Sequence, residues 1–209
     1  MRVLFVGGHK EDILFSIMGF ERALARELEG RCELKVVRPG SDNPKRQKSK
    51  WLRYFEKYVL FPQTLKRESR SADVVHFCES GMGMNAPHVT AAPTLVTVHD
   101  FLALEAAMGE FPGWEVKASG KRYQQMILSG VRQATALACV SETTLHGVSR
   151  HIHGYPGIVR LILNSTYKPY ARVSPEAARQ TLRKFGFSEA PFFFHIGGNK
   201  AYKLSLIHI

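Results

Sequence analysis

Apolar residues fall into two alternating rhythms along this chain. Short solid runs such as Val3-Leu4-Phe5-Val6 read as buried strands, and stripes spaced three and four apart read as helices. A first strand is predicted over 3–6. A helix follows with Ile17, Phe20, Leu24 and Leu28 on its apolar face, ending near Gly30. A second strand is predicted over 32–37, stopped by Pro39-Gly40, with further strands over 74–78 and 95–98. Tyr123, Ile127, Val131 and Ala134 mark another helix, which leads to a strand over 136–140 ending in Ser141-Glu142. A strand over 159–163 ends in Asn164-Ser165. Pro175 opens a short helix over 176–184 that Gly186 closes, and a strand over 192–196 follows. Strands alternating with helices predict the α/β class, a parallel sheet with helices on both faces.

Two of these strands run straight into paired glycines, Gly7-Gly8 and Gly197-Gly198, about 190 residues apart. Such an opening suits the first βα turn of an α/β domain, where backbone amides must approach a phosphate or a sugar. Two openings predict two α/β domains, of which only the first is completed. The boundaries expected are a first domain over 1–170, a linker and opening strand over 171–203, and a foreign tail over 204–209. The alternative for Gly7-Gly8 is a tight turn with no ligand. His9-Lys10-Glu11-Asp12 follows it, so the full dinucleotide fingerprint is missing, and Arg38 stands where a nicotinamide enzyme carries an acid. Both observations weaken an oxidoreductase reading.

The stretch 44–70 departs from its surroundings. It holds nine Lys or Arg residues against Glu56 and Glu68, with Trp51, Phe55, Tyr58 and Val59 on one helical face. Lys45, Arg46, Lys50, Trp51, Arg53 and Lys57 are the candidates for a membrane or acceptor face. The alternative is that the aromatics pack on the sheet and the charges are a solvated outer surface. The net charge of +11 favours an anionic partner in either case. Cys32, Cys78 and Cys139 stand singly in apolar runs, which suggests reduced thiols and a cytoplasmic location, peripheral at the membrane if the basic face docks there. No spacing suggests a metal site, and no apolar run approaches the roughly eighteen residues of a membrane span.

Several strand ends together resemble glycosyltransferase family 4, retaining enzymes of the GT-B fold with two facing Rossmann-like domains. Ser71-Ala72-Asp73-Val74-Val75-His76 is similar to the family's "ADVVH" strand, Val96-Thr97-Val98-His99-Asp100 to its "TVHD" segment and Ala138-Cys139-Val140-Ser141-Glu142 to its "AVSE" segment. Gly7-Gly8 stands at the family's first glycine-rich loop, and Ile162-Leu163-Asn164-Ser165 where the family usually reads "IPNG". Phe194-His195-Ile196-Gly197-Gly198-Asn199-Lys200-Ala201-Tyr202-Lys203 resembles the opening of the nucleotide-binding second domain.

The resemblance implies transfer of a sugar, with retention, from a nucleotide-diphosphate sugar to a glycan or lipid-linked acceptor. No cofactor or metal is implied beyond the nucleotide sugar as co-substrate, and no nucleic-acid partner. It places His99 at the cleft as the catalytic candidate, Asn199 and Lys203 at the donor diphosphate, and Gly7, Gly8 and Ser141 among the substrate or donor contacts. Ser141 also reads as a helix N-cap, Asp100 as a turn cap, and His76 and His195 as structural. After Lys203 the chain reads Leu204-Ser205-Leu206-Ile207-His208-Ile209, unlike the family, whose Glu-x7-Glu element lies far into the second domain and so is expected outside this chain. The expectation is therefore an incomplete, inactive fragment whose segment 172–209 buries too little to order by itself. The competing expectation is a basic, non-enzymatic module that binds an anionic membrane or another polyanion.

Overall fold

The computed structural model describes residues 1–8, 15–40, 50–166, 170–187 and 191–193. Six parallel strands form one sheet in the order β2-β1-β3-β4-β5-β6. The strands are β1 (Arg2–Val6), β2 (Glu33–Val37), β3 (Val74–Phe77), β4 (Thr94–Val98), β5 (Ala136–Cys139) and β6 (Ile158–Leu161). The helices are α1 (Phe15–Leu28), α2 (Lys50–Phe55), α3 (Phe61–Glu68), α4 (Leu102–Met108), α5 (Ala118–Val131), α6 (Glu142–His151) and α7 (Pro175–Lys184). The chain divides into two compact units, Met1–Lys168 and Pro169–Ile209. In the second unit α7 is capped by Ser174, whose hydroxyl accepts from the Ala177 amide at 3.2 Å, and none of its residues is buried.

Strand direction decides which face each helix covers. Parallel neighbours need right-handed crossovers, so a step to one side of the starting strand puts its helix on one face and a step to the other side puts it opposite. Only the step from β1 to β2 goes one way, and α1 packs with Phe20, Leu24 and Leu28 on Val3 and Phe5. All later steps go the other way. Their helices share a single large core of Leu4, Val6, Val75, Phe77, Val96 and Val98 with Phe61, Leu65, Val131, Val148 and Ile152. The α1 face consequently keeps an apolar groove of about 390 Å³ running from Met1 and Val3 past His76 and Thr97 to Leu163. Helices on both faces are thus present, but unequally.

The strands predicted over 3–6, 32–37, 74–78, 95–98, 136–140 and 159–163 all appear in the first unit, with ends moved by one or two residues. Cys32 lies outside β2 because Cys32 N and Arg31 N still bond the Leu28 carbonyl that ends α1. Ile162 and Leu163 fall beyond β6, although Ile162 N reaches the Cys139 carbonyl at 2.8 Å. Phe192 and Phe193 have no regular secondary structure, and the rest of the predicted strand over 192–196 lies outside the described residues.

The predicted single amphipathic helix over 44–70 is a correction. It consists of α2, a π-helical turn over Glu56–Leu60, and α3. Its buried residues are Glu56, Phe61, Leu65 and Ser69, spaced five, four and four apart. The wide step across the π turn displaces the stripe by one residue. Trp51 is 82% exposed and Phe55 49%, so the expectation that the aromatics pack on the sheet does not hold. The backbone of Lys50 and Arg53 lies in α2, while Lys45 and Arg46 lie outside the described residues.

The main core is closed by α5 lying against a 3₁₀ segment, Ser80–His88. Contact is closest at Gly130, where an added Cβ would lie within 2.8 Å of the Met84 carbonyl carbon, and backbone cannot yield as a side-chain end can. Gly130→Ala is expected to lower unfolding free energy by about 1–3 kcal/mol through overpacking, read from the midpoint of urea unfolding at unchanged m.

Candidate functional site

In an open parallel sheet, ligands gather at the carboxyl ends of the strands. Here those ends carry Gly7-Gly8 after β1, Glu79-Ser80-Gly81 after β3, His99-Asp100 after β4 and Ser141 after β5. A cavity of about 400 Å³ opens at this rim. Glu79, Ser80, His99, Asp100, Tyr123 and Gln124 supply its polar lining, and Ile17, Phe101, Leu104, Ile127 and Val131 much of its apolar wall. Gly7, Gly8 and Ser141 share the rim but are not among the lining residues.

His99 is held from three sides. Its Nε2 lies 2.9 Å from the Cys78 carbonyl, which can only accept, so the proton sits on Nε2 and Nδ1 carries the lone pair of the neutral ring. Phe20 meets the imidazole edge to face, with centroids 5.0 Å apart. Its own carbonyl accepts from Thr144 Oγ1 at 3.1 Å. Thr144 Oγ1 in turn lies 2.9 Å from Ser141 Oγ, which therefore donates to it while accepting from the Thr144 amide at 3.1 Å. Ser141 is thus the N-cap of α6 and steadies the His99 backbone through Thr144. Asp100 caps the next turn, its Oδ1 accepting from the Leu102 amide at 3.1 Å.

The paired glycines have close neighbours within the chain. A Cβ on Gly7 would lie 2.6 Å from Glu21 Oε2 and nearer still to the Arg38 guanidinium, and one on Gly8 would lie 2.6 Å from Glu79 Oε1. Glu21 and Arg38 form a buried ion pair directly beside the turn. Burial pushes the Glu21 carboxyl above its ordinary range, with Arg38 opposing that shift. Glu21 Oε2 and Arg38 Nη1 lack a hydrogen-bond partner among the described residues. The missing side chains of Gly7 and Gly8 therefore make room for these groups. A phosphate brought to Gly8 would meet the Glu79 carboxylate, which is better suited to accepting from a hydroxyl.

Sequence reasoning missed Glu79, Thr144, Tyr123 and Gln124. Glu79 was findable, since it follows β3 as His99 follows β4. Tyr123, placed by sequence only on a helical stripe, lines the cavity, and its hydroxyl accepts from Lys57 Nζ at 3.0 Å. Lys57 also stands 4.9 Å from the Tyr123 ring centre, joining the basic segment to the cleft wall. Asn199, Lys203 and His195 lie outside the described residues. Among the described residues no cluster of His, Cys, Asp or Glu could hold a metal ion, and no helix is long and apolar enough to cross a membrane.

Behind His99, His76 is buried, with Nε2 2.8 Å from Thr97 Oγ1 and its ring edge to face with Phe5. Burial lowers its pKa from 6.5 to about 4, and the nearby His99 adds to the shift. The unfolded chain accepts a proton near pH 6.5 that the folded chain refuses until about pH 4, so stability falls as pH drops through that window. His76 should account for about 2 kcal/mol of stability lost between pH 7.5 and 5. His76→Gln should remove that share of the slope in urea titrations at the two pH values.

No family model matches the chain, and no curated protein matches it in sequence. Solved structures do match. Anabaena HepE in complex with UDP superposes with a TM-score of 0.54 at 11% identity, over 89% of this chain and 50% of that one. Glycyrrhiza uralensis UGT73P12 complexed with glycyrrhetinic acid 3-O-monoglucuronide gives 0.47 at 9% identity, over 78% of this chain and 48% of that one. A UDP-glucosyltransferase from Polygonum tinctorium capable of glucosylating indoxyl, in complex with 3,4-dichloroaniline, gives 0.47 at 8%, over 85% and 56%. The likeness is one of fold: this chain has the Rossmann-like α/β architecture of about half of the HepE chain, and spans about half its length.

Proposed function

We propose that the chain is the acceptor-side part of a glycosyltransferase that moves a sugar from a nucleotide-diphosphate sugar to a glycan or lipid-linked acceptor. In its finer form the reading is of a family 4 enzyme acting with retention, using UDP as the nucleotide by analogy with HepE. The observation that carries it is the cavity at the strand ends with His99 in its lining, its Nε2 committed to a carbonyl and its Nδ1 the remaining polar atom of the ring. A neutral Nδ1 accepts from a sugar hydroxyl, and a protonated one stabilises charge near a departing phosphate. Glu79 accepts from a second hydroxyl, and the apolar wall holds the remainder of the acceptor. Ser141 orients His99 through Thr144, and Gly7-Gly8 admit the Glu21–Arg38 pair that braces the rim.

Donor binding falls to the polypeptide from Asn199 and Lys203 onward, where an ammonium suits a diphosphate leaving group. In this reading the 209-residue chain is inactive alone, and activity belongs to a longer protein of about twice its length. The basic non-enzymatic module is the competing reading. It is favoured by the exposed aromatics of α2, and a longer protein that neither binds nor consumes nucleotide sugar would establish it.

In the longer protein, transfer from UDP-sugars to extracted glycan and lipid fractions should be measurable by release of UDP. His99→Ala should lower kcat about 100-fold in a protein still folded at the assay temperature, with a modest fall in melting temperature from the lost Cys78 bond and Phe20 contact. Turnover within a factor of three of the parent would remove His99 from the chemistry.

A further inference from the structure

A second hollow, of about 370 Å³, lies beside the first where α4 turns into α5. Ala106, Phe111, Trp114, Glu115 and Lys121 are among the residues that line it. The two hollows share the same pair of helix faces. Ala103 lines the cavity of His99, and Ala106, one turn further along α4, lines the second hollow. On α5, Gln124 and Lys121 repeat the relation, again three residues apart. A single track thus leads along α4 and α5 from His99 to Trp114.

The far end of this track is built in advance. Phe111-Pro112-Gly113-Trp114 has proline at its second place and glycine at its third, with Gly113 at φ 78°. The Trp114 amide donates to the Phe111 carbonyl at 3.1 Å, so the four residues form a type II β-turn. The Phe111 and Trp114 rings lie 5.7 Å apart between centres, tilted by 31°. Glu110, just before the turn, accepts from Arg150 Nη2 of α6 at 2.8 Å, which ties the loop to the domain. Trp114 nonetheless stays 36% exposed.

Ring and charge together indicate the occupant. One face of a pyranose presents C–H groups, which suit the electron-rich face of an indole. Its rim presents hydroxyls, which call for both donors and acceptors. Lys121 supplies the first and Glu115 the second. An acyl chain or a flat aglycone would strip water from those two charges and return no hydrogen bond.

We infer that the groove along α4 and α5 carries a second acceptor subsite, in which one sugar stacks on Trp114 while the terminal sugar of the same chain occupies the cavity of His99. The acceptor is accordingly an oligosaccharide, held by more than one of its sugars. The role of the cavity rests on the glycosyltransferase reading, whereas binding at Trp114 needs no sugar transfer.

The test is titration of the 209-residue chain with maltotriose, cellotriose, chitotriose and mannotriose, and with the matching monosaccharides. Trp51→Phe serves as background, which leaves Trp114 as the sole tryptophan reporter. At least one trisaccharide should shift Trp114 emission with a dissociation constant below about 10 mM, and its monosaccharide should bind about tenfold more weakly. Trp114→Ala, followed by calorimetry, should weaken the trisaccharide about tenfold. Lys121→Ala, which leaves both rings in place, should weaken it about threefold. No binding by any of these sugars, equal affinity for monosaccharide and trisaccharide, unchanged affinity in folded Trp114→Ala and Lys121→Ala, or tighter binding of 1-octanol than of any trisaccharide would each overturn the inference. In the longer protein, the trisaccharide that binds should be glycosylated, with KM raised about tenfold by Trp114→Ala at unchanged kcat. Binding without transfer would keep the carbohydrate site and remove the enzymatic reading, and transfer with a KM indifferent to Trp114 would do the reverse.

Discussion

The right-handed crossover between parallel strands is the constraint from which most of this structure follows. It brings every strand in from the same end, so all carboxyl ends meet at one rim. It also distributes the helices, because one backward step from β1 to β2 and four forward steps place α1 alone on one face. The large core on the other face fixes β3, β4 and β5 with almost no exposed side chain, as Val75, Phe77, Val96, Val98 and Cys139 show. That rigidity matters at the rim, where His99 sits one residue beyond Val98. A side chain attached to a strand held so firmly has little freedom left except its own rotamer.

What rotamer freedom remains at His99 is removed by hydrogen bonds from the neighbouring strands. Cys78, after β3, takes the Nε2 proton, and Thr144, after β5, donates to the His99 carbonyl. The helix cap at Ser141 and the orientation of a cleft histidine are therefore parts of one hydrogen-bonded chain. The cap at Ser141 and the position of the His99 backbone are set together through Thr144. Gly7-Gly8 show a related economy. Their missing Cβ atoms make space for Glu21, Arg38 and Glu79, and the buried ion pair ties α1 to the end of β2 beneath the turn.

Much of this was legible in the amino-acid order. The strands announced themselves because a parallel sheet buried on both faces needs solid apolar runs, and Val3–Val6 or Val96–Val98 could hardly be anything else. His99 and Ser141 were visible as polar residues at the ends of such runs. Thr144 and Tyr123 were not, because their roles depend on contacts across 45 or more residues of sequence, as in the bond from Thr144 to His99. No local spacing encodes such a contact. The neighbours of the paired glycines were hidden for the same reason: Glu21, Arg38 and Glu79 come beside the turn only in the fold.

The basic segment marks the other limit of sequence reading. Periodicity assumes one helical geometry throughout, and a single π turn shifts it by about one residue, so that the stripe continued from Phe61 and Leu65 passes through Glu56 instead of Tyr58. With Phe61 and Leu65 anchored in the core, the π turn brings Glu56 to the next inward place, and Trp51, Tyr54 and Tyr58 are exposed. The protein thus carries a wide turn with poorer hydrogen bonding together with seven large exposed apolar side chains over residues 51–60.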